Sequence, residues 1–222
     1  MEDIIKEEFK LVDIGNTHIH VFDGEVKDFK NPVKLEGKIF YISVNEEKER
    51  EFLKLNPNAI NLKNYVRFKS AYSNTLGIDR VMAFKAINDG VVVDAGSFIT
   101  LDIVENGFHL GGVIMPGLYY LKNAYKIPSL NVGFTYPTSI PPKNTKEAIS
   151  EGSIGMVVEM IKKYSKNKKL YFTGGDGEFL AKILNGIYIK DLIFRGMIKV
   201  IKESYDNSIA KRKDSKRSFK NF

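Results

Sequence analysis

The chain has 222 residues, of which 43% are hydrophobic, with a formal net charge of +7 and no cysteine. The length suits one large domain or two small ones, and the lack of cysteine excludes disulfides, thiolate metal sites and a cysteine nucleophile while fitting a reducing cytosol. No apolar run approaches the roughly 18 residues that cross a bilayer, and the acidic start MEDIIKEEFK is unlike a secretory signal, so we expect a cytoplasmic protein that does not enter membranes.

Turn residues and hydrophobic periodicity predict four elements in the first 90 residues. They are a strand over 10–23 that turns at Asp23-Gly24, a strand over 37–45, and helices over 46–55 and 77–89. Gly90 is predicted to end the last of these helices.

A second cycle of strands and helices begins near residue 91. It consists of a buried strand over 91–96, a segment 97–104 that continues or pairs with it, a hairpin turn at 105–107, a returning strand over 108–117, a short helix from Leu118, a long helix from Asn144 or Thr145, a strand and glycine-rich turn over 168–177, and two closing helices. The sequence therefore predicts an α/β fold with a duplicated architecture and no repeat with a period of roughly 20–50 residues.

Residues 210–222 carry most of the net positive charge. They contain six lysines and arginines against one aspartate, which is +5 of the total. Because a basic terminal run is usually solvated, we predict a flexible tail rather than an arm that binds nucleic acid. Salt-dependent DNA binding that is lost on deleting this segment would contradict that prediction.

Both halves of the chain contain an apolar strand that ends in Asp-x-Gly. These segments read VDIGNT at 12–17 and VDAGSF at 93–98. Glycine lets the backbone turn tightly and approach a ligand, and the N–H groups and polar side chains of such a turn can bind phosphate. The aspartate cannot contact phosphate directly, but it can hold a Mg²⁺ that bridges to the phosphates.

We interpret these segments as metal–phosphate turns of a nucleotide site, with a third glycine-rich turn at 172–177. The alternative is that Asp13 and Asn16 only shape a hairpin, which explains one such segment more readily than three. Neither the P-loop nor the dinucleotide-binding glycine fingerprint occurs in the sequence, so those two nucleotide-binding folds are not predicted.

Six short motifs follow one another along the chain: DIGNT, GIDR, VVVDAGSFITLD, GGVIMPG, NTKEAISEG and FTGG. In this order they resemble the type III pantothenate kinases over about residues 11–205. That family belongs to the acetate kinase–sugar kinase–Hsp70–actin superfamily, in which two ribonuclease-H-like domains hold ATP in the cleft between them. The resemblance implies a first domain over 1–88 and a second over 89–209, followed by the basic tail.

The first motif is implied to line the ATP phosphates, with its aspartate near Mg²⁺. Its members are Asp13, Ile14, Gly15, Asn16, Thr17, His18, Ile19 and His20. The two histidines share one strand face, but without a third ligand they are weak support for a metal site of their own.

The second motif, Gly77, Ile78, Asp79 and Arg80, matches the family's Gly-x-Asp-Arg and is implied to bind pantothenate. Asp79 is implied to be the general base, which mainly orients the primary hydroxyl of pantothenate for in-line attack. Arg80 is implied to hold pantothenate by hydrogen bonds. The local alternative is that Asp79 is an N-cap or first-turn acid of a helix and Arg80 a surface cation.

Asp94 resembles the family residue that binds K⁺ or NH₄⁺ beside the phosphates. The family usually has Gly-Thr-Ala after it, whereas this chain has Gly96, Ser97 and Phe98. Ser97 keeps a hydroxyl that can contact an ATP phosphate oxygen, and we expect Phe98 to crowd the pocket or to pack into the core.

Two further positions are implied to contact pantothenate, Tyr72 and Thr145, although Thr145 also suits a plain helix N-cap. Residues 111–118 are expected to form a turn that approaches the substrate or closes the domain interface. Residues 173–177 lie where the superfamily places its adenosine turn.

The predicted reaction is ATP-dependent phosphorylation of pantothenate to 4′-phosphopantothenate, the first step of coenzyme A synthesis. The family implies a homodimer in which the partner subunit completes the pantothenate pocket. Three alternatives remain: a kinase of another small alcohol, a catalytically idle nucleotide-sensing regulator, and a nucleic-acid-binding module. The presence of Asp79 together with Asp13, Arg80 and Asp94 favours catalysis, because a sensor has no need of Asp79.

Overall fold

The computed structural model describes residues 9–125, 136 and 140–218, with the backbone alone for residues 207–218. It is an α/β structure with two β-sheets. None of the helices in these ranges combines the length and the apolar character that a membrane span requires. The last four residues of the predicted basic tail lie outside the described residues.

The described residues form two compact units, each discontinuous in sequence. The first contains residues 9–68, Leu76–Ala86 and 191–218, and the second contains Lys69–Thr75 and the described part of Ile87–Lys190. These units differ from the predicted domains 1–88 and 89–209. The differences arise because Lys69–Thr75 adds a strand to the second sheet, and because the final helix packs within the first unit.

The strands of the two units are separate sets. In chain order they are β1 (Phe9–Ile14), β2 (Ile19–Phe22), β3 (Val26–Phe29), β4 (Lys38–Ser43), β5 (Ile60–Asn61), β6 (Lys69–Ser70), β7 (Gly90–Ala95), β8 (Phe98–Glu105), β9 (Phe108–Pro116), β10 (Leu170–Thr173) and β11 (Ile187–Tyr188). The first sheet has the order β3-β2-β1-β4-β5, and the second has the order β11-β10-β7-β8-β9-β6.

The two sheets share one topology. When β7 is counted as the first strand of its sheet, β9-β8-β7-β10-β11 repeats the order β3-β2-β1-β4-β5, and β6 is an addition beyond β9. In both sheets the first three strands are antiparallel, and the last two continue the sheet in parallel from the first strand. This arrangement confirms the predicted α/β fold of two ribonuclease-H-like units.

The helices agree with most of the predicted ones. They are α1 (Glu46–Leu55), α2 (Ile78–Lys85), α3 (Leu118–Ala124), α4 (Thr145–Ser150), α5 (Met156–Ser165), α6 (Gly177–Leu184) and α7 (Leu192–Ser218). α2 ends at Lys85 rather than at residue 89, and Gly90 does not end it but begins β7 with a φ of 135°. α7 includes residues 210–218 of the predicted tail, and the flexibility of that tail stays a prediction.

Side-chain caps explain where two of these helices begin. The side chain of Asn45 accepts a hydrogen bond from the Lys48 N–H, which places the start of α1 as predicted. The side chain of Asn144 does the same for Glu147, so Asn144 rather than Thr145 is the N-cap of the long predicted helix. That helix consists of α4, a π-helical turn at Glu151–Gly155, and α5.

The first sheet is covered on both faces. The predicted strand over 10–23 is two strands, β1 and β2, joined by a turn at residues 15–18, and the predicted hairpin turn at Asp23-Gly24 follows β2. One face of the sheet packs in an apolar cluster of Val12, Ile14, Ile19, Val21, Ile39, Tyr41 and Phe52. On the other face the ring of Phe22 stacks on that of Phe194 in α7, with centroids 5.4 Å apart.

The second sheet settles three expectations. Residues 98–105 form β8, which pairs with β7 rather than continuing it. Asn106 and Gly107 have φ values of 50° and 72°, as the predicted hairpin turn requires. The expected turn over 111–118 is wrong, because residues 108–116 form β9, in which Gly111 (φ 141°) lies at a shift of register opposite Ile103.

The close packing of α7 on α2 in the first unit generates a stability prediction. A Cβ atom added to Gly196 would lie 1.8 Å from the carbonyl oxygen of Met82. Because backbone cannot yield as a flexible side chain can, Gly196→Ala is expected to lower the free energy of unfolding by about 1–3 kcal/mol, measured by urea denaturation.

Gly152→Ala is the matched helical control for this prediction. Its added Cβ would meet only the Tyr125 Oη, at an ordinary 3.7 Å. An unfolding midpoint of Gly196→Ala equal to that of the wild type would contradict the packing of α7 described above.

Candidate active site

The turn between β1 and β2 carries the first predicted phosphate motif. The Gly15 N–H donates to the His18 carbonyl at 2.9 Å, and the side chains of Asn16 and Thr17 are exposed at the tip. A Cβ on Gly15 would lie 3.0 Å from the same carbonyl oxygen. The turn is therefore tight, and glycine suits it better than any larger residue.

Residues on both sides fix this turn in place. Ile14 and Ile19 are fully buried, so only their backbone can face a ligand. The Lys48 Nζ donates to the Thr17 carbonyl at 2.8 Å, and the Asn45 amide lies 3.4 Å from the Asn16 side-chain oxygen. Asn45 and Lys48 belong to the start of α1, and nothing in their local sequence predicted a role at the turn.

Asp13 is the residue before the last one of β1, near the turn, with only 6% of its surface exposed. Among the described residues, its Oδ1 is buried and accepts no hydrogen bond. The His20 Nδ1 lies 3.8 Å from its other oxygen, Oδ2. A buried carboxylate oxygen is costly unless a positive group meets it, so this residue fits a hard cation such as Mg²⁺.

In the described ranges, no three His, Asp or Glu residues form a group that could hold a metal ion by themselves. Mg²⁺ commonly takes one or two carboxylates and completes its shell with phosphate and water oxygens. Asp13 alone is thus compatible with a metal that arrives with a nucleotide.

His18 and His20 pair with an aspartate that the sequence analysis missed. Their rings are stacked, with centroids 6.2 Å apart. The Asp28 Oδ1 lies 2.7 Å from the His18 Nδ1 and 3.8 Å from the His20 Nε2. The antiparallel register of β2 and β3 places Asp28 opposite His20, which only knowledge of the strand pairing could have predicted.

Asp79 lies in the first turn of α2, in the same unit as Asp13. Its Oδ1 accepts the Arg80 backbone N–H at 2.8 Å. A Cβ on Gly77 would lie 2.5 Å from that oxygen, so glycine makes room for the carboxylate. Burial raises the pKa of Asp79, and the negative charge of Asp13 raises it further. The structure thus brings the two predicted acids together.

The other two members of this motif are buried. Ile78 packs in the core, and Arg80 has only 6% of its surface exposed. The local alternative that Arg80 is a surface cation is therefore wrong. Its guanidinium charge lowers the pKa of Asp79, although burial and Asp13 outweigh it.

The second unit carries the other predicted site residues. Asp94 is the residue before the last one of β7, and in the turn that follows, the Gly96 N–H donates to the Phe98 carbonyl at 3.0 Å. A Cβ on Gly117 would lie 2.3 Å from the Gly96 carbonyl oxygen and 2.5 Å from that of Ser97. Gly117 therefore permits a close backbone contact that holds the turn containing Ser97.

The glycine-rich turn after β10 lies directly against the end of β7. The Asp176 N–H donates to the Ala95 carbonyl at 2.9 Å, and burial raises the pKa of Asp176. A Cβ on Gly174, which has a φ of 82°, would lie 2.5 Å from the Asp94 Oδ1. The structure thus brings Asp94 and Ala95 close to Gly174 and Asp176.

Phe98 departs from expectation. Its side chain is 53% exposed and stacks on the Tyr120 ring, with centroids 6.3 Å apart. It does not pack into the core, because successive residues of a strand face opposite sides and Ile99 takes the buried side. The expectation that it crowds the pocket stays a prediction.

Tyr72 and Thr145 lie on other elements of the second unit. Tyr72 follows β6 and is partly buried, with its ring centroid 6.0 Å from that of His109. Thr145 is exposed at the first residue of α4. The predicted site residues therefore divide into residues 13–20 and 77–80 on the first unit, and these two with Asp94 and Ser97 on the second.

Comparison with known proteins supports one family. The family model for type III pantothenate kinase matches residues 43–167. A curated type III pantothenate kinase from Campylobacter jejuni is 46% identical over 208 residues, covering 87% of this chain and 97% of the relative. Another from Wolinella succinogenes is 42% identical over 204 residues, covering 87% and 96%.

Solved structures agree on the fold. A Campylobacter jejuni crystal structure, named as a candidate Baf family transcriptional activator, has a TM-score of 0.74 and 44% identity, covering 89% of this chain and 99% of that one. A candidate 2-dehydro-3-deoxygalactonokinase from Sinorhizobium meliloti has a TM-score of 0.52 at 9% identity, covering 88% and 96%, which speaks for the fold alone. Because the family model and relatives that align over nearly their whole length agree, the chain belongs to the type III pantothenate kinase family.

Proposed function

We propose that this chain transfers the γ-phosphoryl group of ATP to the primary hydroxyl of pantothenate, giving 4′-phosphopantothenate in the first step of coenzyme A synthesis. The structural observation that carries the proposal is the pair of acids in the first unit. Asp13 has a buried oxygen suited to a cation, and Asp79 has a pKa raised by burial and by Asp13. One acid suits the metal of a nucleotide, and the other suits a hydroxyl that must be oriented and deprotonated.

Asp79 is the proposed general base. A raised pKa makes its carboxylate a better proton acceptor, and in phosphoryl transfer its main contribution is to hold the attacking oxygen in line. The rotamer is fixed by the hydrogen bond from the Arg80 N–H and by the space above Gly77. Arg80 is the proposed partner for polar groups of pantothenate.

The proposed phosphate contacts come from both hairpin turns. Backbone N–H groups of residues 15–20 and the side chains of Asn16, Thr17 and Ser97 are suitable donors. Asp13 would hold Mg²⁺ and Asp94 would hold K⁺ or NH₄⁺, and these ions supply positive charge that neutralises the phosphates when they are bound. We propose a cytoplasmic location for this reaction, without membrane or nucleic-acid partners.

We propose that the protein is a homodimer joined through the second unit. Phe98 and Pro116 pair across β8 and β9, and Ile114 lies two residues along the same face. Phe98, Ile114 and the neighbouring Tyr119 and Tyr120 are exposed. An exposed apolar patch of this kind typically marks an interface, and a second copy is the occupant that the family resemblance implies.

Two other functions deserve a test. The Campylobacter jejuni structure bears the name of a transcriptional activator, which suggests a nucleotide-binding regulator, and a kinase of a different small alcohol would use the same residues. Release of ADP measured with and without pantothenate separates them. Turnover that requires pantothenate supports the proposal, whereas ATP binding without acceptor-dependent turnover supports a regulator. A rate that rises with K⁺ supports the role of Asp94.

Asp79→Asn is expected to lower kcat by about 10²–10⁴-fold, because the amide cannot accept the hydroxyl proton. ATP binding, measured by isothermal titration, should stay within about twofold. Asp206→Asn on the exposed surface of α7 is the control and should keep the wild-type rate. Near-normal turnover of Asp79→Asn would show that the base is another residue.

The same substitution should stabilise the protein at neutral pH. The pKa of Asp79 is raised in the folded state from 3.8. The contribution of Asp79 to the free energy of unfolding is therefore most favourable at lower pH and is lost as the pH rises through the folded pKa. Asparagine carries no charge and still accepts the Arg80 N–H. The melting temperature of Asp79→Asn should exceed that of the wild type at pH 7, and the gap should narrow towards pH 4. A variant that melts lower at pH 7 would contradict this electrostatic description.

Tyr120→Glu is expected to dissociate the dimer, because it places a charge in the apolar patch. Light scattering after gel filtration should give the 25.2 kDa mass of one chain, against twice that mass for the wild type. Tyr205→Glu is the matched control, because Tyr205 is also an exposed tyrosine but lies on α7, outside the apolar patch. A Tyr120→Glu protein that remains a dimer would exclude this patch as the interface.

A further inference from the structure

A continuous chain of polar groups crosses three neighbouring strands of the second sheet. The Asp102 Oδ1 in β8 lies 2.8 Å from the His109 Nε2 in β9, and the His109 Nδ1 lies 2.7 Å from the Ser70 Oγ in β6. The same hydroxyl oxygen accepts the Tyr72 N–H at 2.9 Å. Asp102 and His109 have only 1% and 0% of their surfaces exposed.

The hydrogen bonds of this chain connect Asp102 to the Tyr72 backbone through His109 and Ser70. Because a carboxylate accepts, the His109 Nε2 carries a proton and donates its N–H to Asp102. The His109 Nδ1 and the Ser70 hydroxyl share the next hydrogen bond. The serine oxygen also accepts from the Tyr72 N–H. Each group therefore restrains the orientation of the next, and this series of hydrogen bonds reaches the backbone N–H of Tyr72.

Sheet stability alone is a poor explanation for these residues. Burying an aspartate with a histidine is costly, and well-packed apolar residues often serve a core equally well. β6 is only two residues long and lies at the edge of its sheet. Besides this network, the Ala71 N–H donates to the His109 carbonyl at 2.9 Å. A polar network in which every group is hydrogen-bonded specifies one arrangement of its side chains. Apolar contacts at so short an edge strand would not specify one.

We propose that Asp102, His109 and Ser70 are positioning residues for pantothenate, which act by holding Tyr72 in one orientation. The Tyr72 backbone is fixed through Ser70, and its ring packs 6.0 Å from the His109 ring. This inference rests on the proposed function, in which Tyr72 contacts pantothenate. The network orders Tyr72 before pantothenate binds, so that less conformational entropy is lost on binding.

Ser70→Ala is the most discriminating substitution, because it removes one oxygen and leaves the buried pair of Asp102 and His109 intact. We expect the KM for pantothenate to rise about 5–10-fold, the effect of one lost hydrogen bond, while kcat and the KM for ATP stay within about twofold. Ser70→Thr keeps the hydroxyl and should restore the wild-type KM. Exchange of the Tyr72 amide hydrogen, followed by NMR, should be faster in Ser70→Ala and not in Ser70→Thr.

Two controls make the result decisive. Ser73→Ala removes an exposed hydroxyl from the same segment and should leave the KM unchanged. In a Tyr72→Ala background, Ser70→Ala should add no further increase, because the network then has nothing to position. An unchanged pantothenate KM in Ser70→Ala, or an additive double variant, would overturn the positioning role alone. A wild-type protein without pantothenate-dependent turnover would overturn the proposed function, and this inference with it.

Discussion

The withdrawal of Asp79 from water, with the negative charge of Asp13 nearby, is the constraint on which the proposed chemistry of the first unit depends, because both raise the pKa of Asp79. Asp13 is the residue before the last one of β1 and Asp79 lies in the first turn of α2, so regular elements hold both acids. The Arg80 N–H and charge oppose the pKa shift only in part. A cation held by Asp13, as proposed, would offset the negative charge there when it is bound.

The two turns that are proposed to bind phosphate occupy the same place in their sheets but have different supports. Each follows the first strand of its sheet, and each is closed by a glycine N–H that bonds to a carbonyl two or three residues later. Side chains brace the first turn, through Lys48 and Asn45. Close backbone contact at Gly117 and Gly174 braces the second. Two copies of one topology have thus reached similar turns by different local chemistry.

Local signals predicted what local interactions determine. The bounds of α1 were predicted from its helical composition and from Asn56-Pro57 beyond its end, and the cap at Asn45 agrees with them. The turn at Asn106-Gly107 was predicted from its residue types, and the positive φ values of both residues agree with it. Contacts between distant segments were missed, because no short pattern encodes them. Asp28 became a partner of His18 only through strand pairing, and Phe98 faced outwards because of the pleat. The expected turn at 111–118 failed for the same reason, since Gly111 lies at a shift of register between β9 and β8. The predicted grouping of Asp13 with Asp79 came from the family resemblance rather than from periodicity.

The path of the backbone between the units has a consequence for how the molecule is made. The chain leaves the first unit after Phe68, returns at Leu76, leaves again after Ala86 and comes back only at Asp191. During synthesis on the ribosome, the second unit can therefore be complete while the first still lacks α7, whose Phe194 and Gly196 pack against β2 and α2. No single proteolytic nick can release either unit whole, and a premature stop codon near the end of the message would spoil the unit that begins the chain.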